Sequence, residues 1–161
     1  MKKIIAGLTI LLIAFGNLVA QEKDAATTQL ILGSKNFIFK AQTASPQRGQ
    51  LRNLTSDYDL TIKNDSAIAW LPFFGRSYNA NYGSEGGIKF NSSNFAYSIE
   101  KAKKKKWDIT IKPNDVPDIQ TLYLTVYENS QANLQVISTN RESISFNGYI
   151  VEGKGSPKKG F

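Results

Sequence analysis

The sequence has 161 residues, a formal net charge of +7, and neither cysteine nor histidine. Its length is sufficient for one domain with its own hydrophobic core. Cysteine nucleophiles, serine–histidine pairs, disulfide bonds and Cys/His zinc sites are excluded, because each needs a thiol or an imidazole. Carboxylates, lysines, tyrosines and hydroxyls remain for any chemistry.

Residues 1–20 have the pattern of a secretory signal peptide. Two lysines precede an apolar run from Ile4 to Phe15, and the small residue Ala20 stands at the expected cleavage position. The run is shorter than the roughly 20 apolar residues that cross a bilayer. We therefore expect a periplasmic or secreted protein whose mature chain begins near Gln21.

Residues 21–33 are predicted to form a short helix. Ala25, Ala26 and Leu30 are good helix formers, and Gly33 is suited to end the helix. Residues 34–152 are predicted to form a single β-domain, followed by a flexible basic tail at 153–161. The pattern shows no internal repeat and no second domain.

The β-domain is predicted from alternating apolar and polar residues, which indicate half-buried antiparallel strands. Short connections at Asn64-Asp65, Asn129-Ser130 and Asn140-Arg141 favour hairpins, with asparagine adopting the positive φ of a tight turn. The fold class is therefore all-β: an antiparallel meander of about nine strands that forms a small barrel or a two-sheet sandwich. The predicted strands lie within 37–40, 58–63, 67–70, 87–90, 95–100, 107–112, 122–127, 133–136 and 143–151.

The aromatic and glycine-rich stretch from Leu71 to Phe90 has two interpretations, and we favour the structural one, because aromatic-rich segments of all-β proteins are more often core than binding site. In one interpretation it fills one end of a barrel, with its aromatic rings buried and the Arg76 guanidinium lying on their faces or donating to carbonyls. In the other, Arg76, Tyr78 and Tyr82 form the rim of a ligand pocket, where rings stack on a sugar or apolar group and the arginine binds an anion. The first interpretation assigns burial to Trp70, Phe73, Phe74, Tyr78 and Tyr82.

The same stretch resembles a family of exported Bacteroidota proteins known as domain of unknown function number 4251. The resemblance rests on Leu71-Pro72-Phe73-Phe74-Gly75-Arg76, Tyr78, Tyr82-Gly83, Gly86-Gly87-Ile88-Lys89-Phe90 and the later Asn140-Arg141, Ile144-Ser145-Phe146 and Gly148. It covers most of 34–150. The resemblance implies export and a compact β-domain, and it assigns no catalytic residue.

Three further features carry weaker functional hypotheses. Lys101, Lys103, Lys104, Lys105 and Lys106 are expected to form a charged hairpin tip, and the alternative is weak contact with an anionic surface. Ser66, in Asp65-Ser66-Ala67, is a possible O-glycosylation acceptor at an exposed turn. Asp57 and Asp59 are predicted to lie on the same face of one strand. We interpret this face as solvated, and the alternative is a carboxylate pair for glycoside hydrolysis.

The most consistent function is a non-catalytic binding or envelope-associated module for a small ligand or a cell-envelope component. The alternatives are a carboxylate-dependent hydrolase that acts on an envelope glycan, and a purely structural envelope protein. No cofactor or metal site is predicted, since no spacing matches a calcium loop. Nucleic acid is not expected as a partner, because the lysines cluster at a turn and a tail instead of among stacking aromatics.

Overall fold

A computed structural model describes residues 25–78, 86–102 and 105–153. The predicted signal peptide, Tyr82, Lys103, Lys104 and the predicted tail beyond Gly153 lie outside the described residues. In the described part of the chain, no helix is long and apolar enough to cross a membrane.

The described residues form a short helix and nine strands, which confirms the predicted all-β class. Every pair of neighbouring strands is antiparallel, and a single sheet curls into a nearly closed barrel. The strand order is β4-β3-β2-β1-β9-β8-β7-β6-β5. The strands are β1 Phe37–Pro46, β2 Arg52–Lys63, β3 Ser66–Pro72, β4 Gly87–Ser92, β5 Phe95–Ala102, β6 Lys106–Pro113, β7 Ile119–Tyr127, β8 Gln131–Ser138 and β9 Ile144–Glu152.

The barrel stays open between its two edge strands, β4 and β5. An antiparallel sheet reverses direction from strand to strand, so the first and last of nine strands run the same way. A parallel pair requires a crossover of a dozen or more residues, whereas Ser93 and Asn94 alone connect these two strands. The Asp115 carboxylate stabilises this connection, because it accepts hydrogen bonds from the backbone N–H of Ser93 at 2.9 Å and of Asn94 at 3.2 Å.

The hydrophobic core fills the inside of the barrel because successive side chains of a strand point to opposite faces of the sheet. In β7, Leu122, Leu124 and Val126 are buried while Tyr123 and Tyr127 are exposed on the outer wall. The largest fully buried side chains are Phe37, Phe39, Phe146, Leu32, Leu60, Ile62, Leu71, Ile109, Ile111, Leu122, Leu124 and Leu134.

The helix α1, residues 25–33, packs against the core at the end of the barrel where β7 turns into β8. Leu32 is fully buried, and the Thr28 hydroxyl donates to the Glu128 carbonyl at 3.1 Å. The helix ends at Gly33, as predicted, but the left-handed residue is Lys35, with φ 49°. Ser34 and Lys35 continue the last turn of the helix, so the positive φ falls at Lys35 and not at Gly33.

The prediction that asparagine adopts the positive φ of the hairpin turns is wrong for the described residues. Apart from glycine, the residues with positive φ are Lys35, Lys105 and Ser130. The β7–β8 connection has three residues, and the third residue of such a loop takes the left-handed conformation. Ser130, which is that third residue, has φ 63°. Asn129 instead accepts from the Gln131 N–H through its side chain, at 3.2 Å.

Candidate functional site

The segment that follows β3 crosses one end of the barrel and pairs with the connection between β8 and β9. The Tyr78 N–H donates to the Asn140 carbonyl at 2.8 Å, and the Glu142 N–H donates to the Arg76 carbonyl at 3.0 Å. Ser77 and Arg141 lie opposite each other between these two hydrogen bonds and form an isolated antiparallel β-bridge. The segment is thus anchored through its backbone, as an irregular extension of the sheet.

Phe73 and Phe74 fill this end of the barrel, but Arg76 does not lie on their rings. Arg141 lies over the Phe73 ring at 5.4 Å from its centroid, and Arg52 lies over the Phe74 ring at 4.8 Å. Because the backbone of Arg76 pairs with Glu142, its side chain is left on the exposed side of the segment. The predicted stacking therefore exists, with different arginines.

Two of the aromatic residues that the first interpretation places inside the end of the barrel are exposed. Tyr78 is 66% exposed, although its backbone is held by Asn140. Trp70 is 41% exposed on the outer wall, where the Lys89 ammonium lies 4.1 Å from its ring centroid. Trp70 points outward because Ala69 and Leu71, its neighbours in β3, point into the core. Burial of Trp70 and Tyr78 was therefore predicted wrongly.

All four arginines of the chain lie at this end of the barrel, and we call Arg48, Arg52, Arg76 and Arg141 the arginine cluster. A buried carboxylate, that of Glu142, lies within the cluster and is only 6% exposed. Its Oε1 lies 3.8 Å from Arg48 Nε, and its Oε2 accepts from the Arg76 backbone N–H at 3.3 Å.

The arginine cluster is partly preorganised by contacts that do not neutralise its charge. Arg141 Nη1 donates to the Gly87 carbonyl at 2.6 Å, while Arg52 and Arg141 rest on aromatic rings. The nearby Asp118 carboxylate accepts from the Asn140 amide at 2.8 Å and not from an arginine. The Arg48 guanidinium therefore pairs with the Glu142 carboxylate, and Arg76 and Tyr78, predicted as rim residues, lie together on the exposed side of their segment.

A second concave site lies on the outer wall, where β1 and β2 lose their regular pairing. Ala41 pairs with Tyr58 and Thr43 pairs with Asn53, so Gln42 of β1 faces the four residues 54–57 of β2. The extra residues open a cleft of ≈ 290 Å³ beside Tyr149. Its lining residues are Lys40, Ala41, Gln42, Leu54, Thr55, Ser56, Asp57, Tyr58 and Tyr149.

Sequence reasoning missed this cleft. The alternation of β2 indicated a strand from Tyr58 onward, and nothing local showed that residues 54–57 have no matching partners in β1. Asp57 and Asp59, considered as a carboxylate pair, have different surroundings: Asp57 lines the cleft, and Asp59 forms an ion pair of 3.3 Å with Lys40.

The other predicted site residues lie apart from both sites. Ser66 begins β3, directly after the turn, and pairs with Lys63. Lys105 and Lys106 lie at the β5–β6 hairpin, where their ammonium groups are 3.4 Å from Glu128 and 3.0 Å from Asp108. Lys101 is exposed on β5. Among residues 25–78, 86–102 and 105–153, no group of three or more acidic side chains is arranged to hold a metal ion.

Comparison with known proteins assigns a family but no activity. The family model described as domain of unknown function (DUF4251) matches residues 19–150, and the chain belongs to this family. Its fold is similar to the crystal structure of a DUF4251 family protein from Bacteroides eggerthii DSM 20697, with a TM-score of 0.61 and 14% sequence identity. The similarity covers 83% of this chain and 88% of that chain. No curated protein matches the sequence.

Proposed function

We propose that the protein is an exported binding module that acts without catalysis and holds an anionic group, a phosphate or a carboxylate, at the arginine cluster. The observation that carries the proposal is the convergence of every arginine of the chain on one end of the barrel, whereas Lys101, Lys105 and Lys106 lie at the β5–β6 hairpin. Arginine presents a planar fork of donors that matches phosphate and carboxylate oxygens, whereas lysine is a point charge.

The contacts within the cluster leave Arg76 available to a ligand. Glu142 offsets part of the positive charge, and its burial fixes the segment that carries Arg76. Within the described residues, the Arg76 guanidinium has no hydrogen-bond or ion-pair partner, and the side chain is exposed. The adjacent Tyr78 offers an exposed ring and a hydroxyl. This pair supports the predicted role of Arg76 and Tyr78 in ligand binding.

Anionic probes from three sources test the binding proposal: inorganic pyrophosphate, citrate, and vesicles that contain phosphatidylglycerol. We expect saturable binding to at least one probe, weakened at least tenfold by Arg76→Ala and reduced by added salt. Lys101→Ala is the charge-matched control on the other basic surface and should leave binding unchanged. No binding to any probe, or equal losses for both variants, would contradict the assignment.

Export is supported by the pattern of residues 1–20. N-terminal sequencing of protein from the cell-envelope fraction should find a chain that begins at or near Gln21. A chain in that fraction that retains Met1 would contradict the proposed signal cleavage.

The absence of catalysis is tested on glycans, because the cleft contains one carboxylate, that of Asp57. Incubation with a panel of oligosaccharides should leave their lengths unchanged. Shortening of any of them that is abolished by Asp57→Asn would favour the carboxylate-dependent hydrolase instead.

A further inference from the structure

A line of outward-facing side chains crosses five neighbouring strands of the outer wall. The sheet register places Gln131 beside Tyr149, Tyr149 beside Lys40, and Lys40 beside Asp59. Tyr127 extends the line on β7, because the neighbouring Val126 pairs with Ala132 of β8. We call Tyr127, Gln131, Tyr149, Lys40 and Asp59 the outer stripe. It ends at β3, where Lys89 covers the Trp70 ring.

The cleft opens in the middle of the outer stripe. Lys40 and Tyr149 belong to both, and the displaced residues 54–57 form the opposite wall. A volume of ≈ 290 Å³ lies just below the roughly 300–1,000 Å³ that is usual for ligand sites. The cleft therefore admits a single ring-sized group, while the remainder of a longer ligand lies along the stripe.

The surface beside the stripe is polar, and Asp57 is the carboxylate that lines the cleft. Lys40 is paired with Asp59 at 3.3 Å, which offsets both charges. In the next row, the Asn133 amide donates to Asn147 at 2.8 Å, and the Asn147 amide donates to Thr43 at 3.4 Å. Amides and hydroxyls of this kind both donate and accept hydrogen bonds, as sugar hydroxyls do.

The two tyrosines of the stripe are spaced for stacking on a chain of sugar rings. Tyr127 lies on β7 and Tyr149 on β9, two strand spacings apart, which is about 10 Å. This separation is comparable to the length of a disaccharide unit. Tyr127 is 45% exposed, so its ring is available for an amphipathic contact in which the apolar face of a sugar packs on the ring.

We propose that the outer stripe and its cleft bind an uncharged oligosaccharide, with one sugar ring in the cleft and the following units extending over Tyr149 toward Tyr127. This site is separate in residues and in ligand charge from the arginine cluster, so it does not depend on the anion-binding proposal. Lys40 and Asp59 keep their mutual ion pair, and the Lys40 ammonium offers its remaining donors to sugar hydroxyls.

The test uses the full mature chain and immobilised neutral fragments of β-linked glucose, mannose and N-acetylglucosamine, each in a short and a long form. We expect binding to at least one fragment class that is insensitive to added salt. Tyr149→Ala should weaken binding of short and long fragments at least tenfold, since Tyr149 lines the cleft. Tyr127→Ala should weaken binding of the long fragments and leave the short ones unchanged.

Tyr123→Ala is the matched control. Tyr123 lies on the same strand as Tyr127, points to the same outer wall and is 46% exposed, but it stands off the stripe beside Thr110 and Gln135. The Tyr123→Ala variant should bind every fragment as the parent protein does. No binding of the folded parent protein to any neutral fragment, equal losses for Tyr123→Ala and Tyr149→Ala, or binding that Arg76→Ala abolishes would each overturn the proposal.

Discussion

Gly148→Ala is expected to destabilise the protein severely, because β1 and β9 approach each other closely at this position. Gly148 pairs with Ala41 at the point where the register between the two strands shifts. A Cβ built on Gly148 overlaps the Lys40 carbonyl oxygen and lies 2.9 Å from the Lys40 carbonyl carbon and 3.1 Å from Ala41 Cα. These are backbone atoms, so no side-chain rotation relieves the overlap.

The magnitude follows from what must move. Gly148 is buried between β1 and β8, and an added methyl group has to push two paired strands apart in the middle of the sheet. Overpacking of this kind costs about 1–3 kcal/mol, and a backbone clash belongs at the upper end, so we expect a loss of about 3 kcal/mol or more.

Urea unfolding followed by tryptophan fluorescence measures this loss, since Trp107 is buried in the core. Gly33→Ala is the matched control, because nothing lies within 4 Å of a Cβ at Gly33, and it should change the free energy of unfolding by less than about 1 kcal/mol. Gly148→Ala with a stability within about 0.5 kcal/mol of the parent would refute the argument from close approach.

Three other substitutions give distinct outcomes. Arg141→Lys should lower the free energy of unfolding by about 1–2 kcal/mol in thermal melts, because lysine cannot both donate to the Gly87 carbonyl and stack on Phe73; an unchanged melt would contradict this. Burial raises the pKa of Tyr97 from 10.0 to about 12, so stability should fall as the pH rises above 10, and Tyr97→Phe should abolish that dependence. The hydrogen bond from the Ser92 hydroxyl is the largest cause that lowers the pKa of Asp115 below 3.8, and backbone N–H groups such as that of Ser93 lower it further. The stability that its ionised form provides should therefore be lost as the pH falls through that lowered pKa, and Asp115→Asn should show a weaker loss in acid melts.

The strands were predictable because their signal is local. In β6, the alternation of Trp107, Ile109 and Ile111 with polar residues indicates a half-buried strand whatever its neighbours are, and these three side chains are buried. The same reasoning failed for Trp70. An aromatic residue beside an aromatic-rich loop was assigned to the core, but the pleat of β3 places it on the outer wall.

The candidate sites were predicted in part. The sequence singled out Arg76 and Tyr78 because they stand among aromatic residues, and the structure places them together on one exposed side. Nothing in the sequence connects Arg48, Arg52 and Arg141 with them, since these residues lie on other segments of the chain. Only the folded protein brings these arginines into contact with Glu142, Phe74 and Phe73, respectively. The cleft was also missed, because a β-bulge is a mismatch between two strands and has no signal in either one alone.

The amino-acid sequence by itself determined that the protein is an all-β domain of about nine antiparallel strands with alternating inward and outward side chains, because this pattern depends on the pleat of each strand. Only the tertiary structure decided that the strands form a single barrel with an open seam between β4 and β5, and that the arginines and the cleft lie where they do. Strand order, register shifts and long-range side-chain contacts depend on residues far apart in the chain. The hydrogen bonds and side-chain packing that determine them form only when distant strands come together around the core.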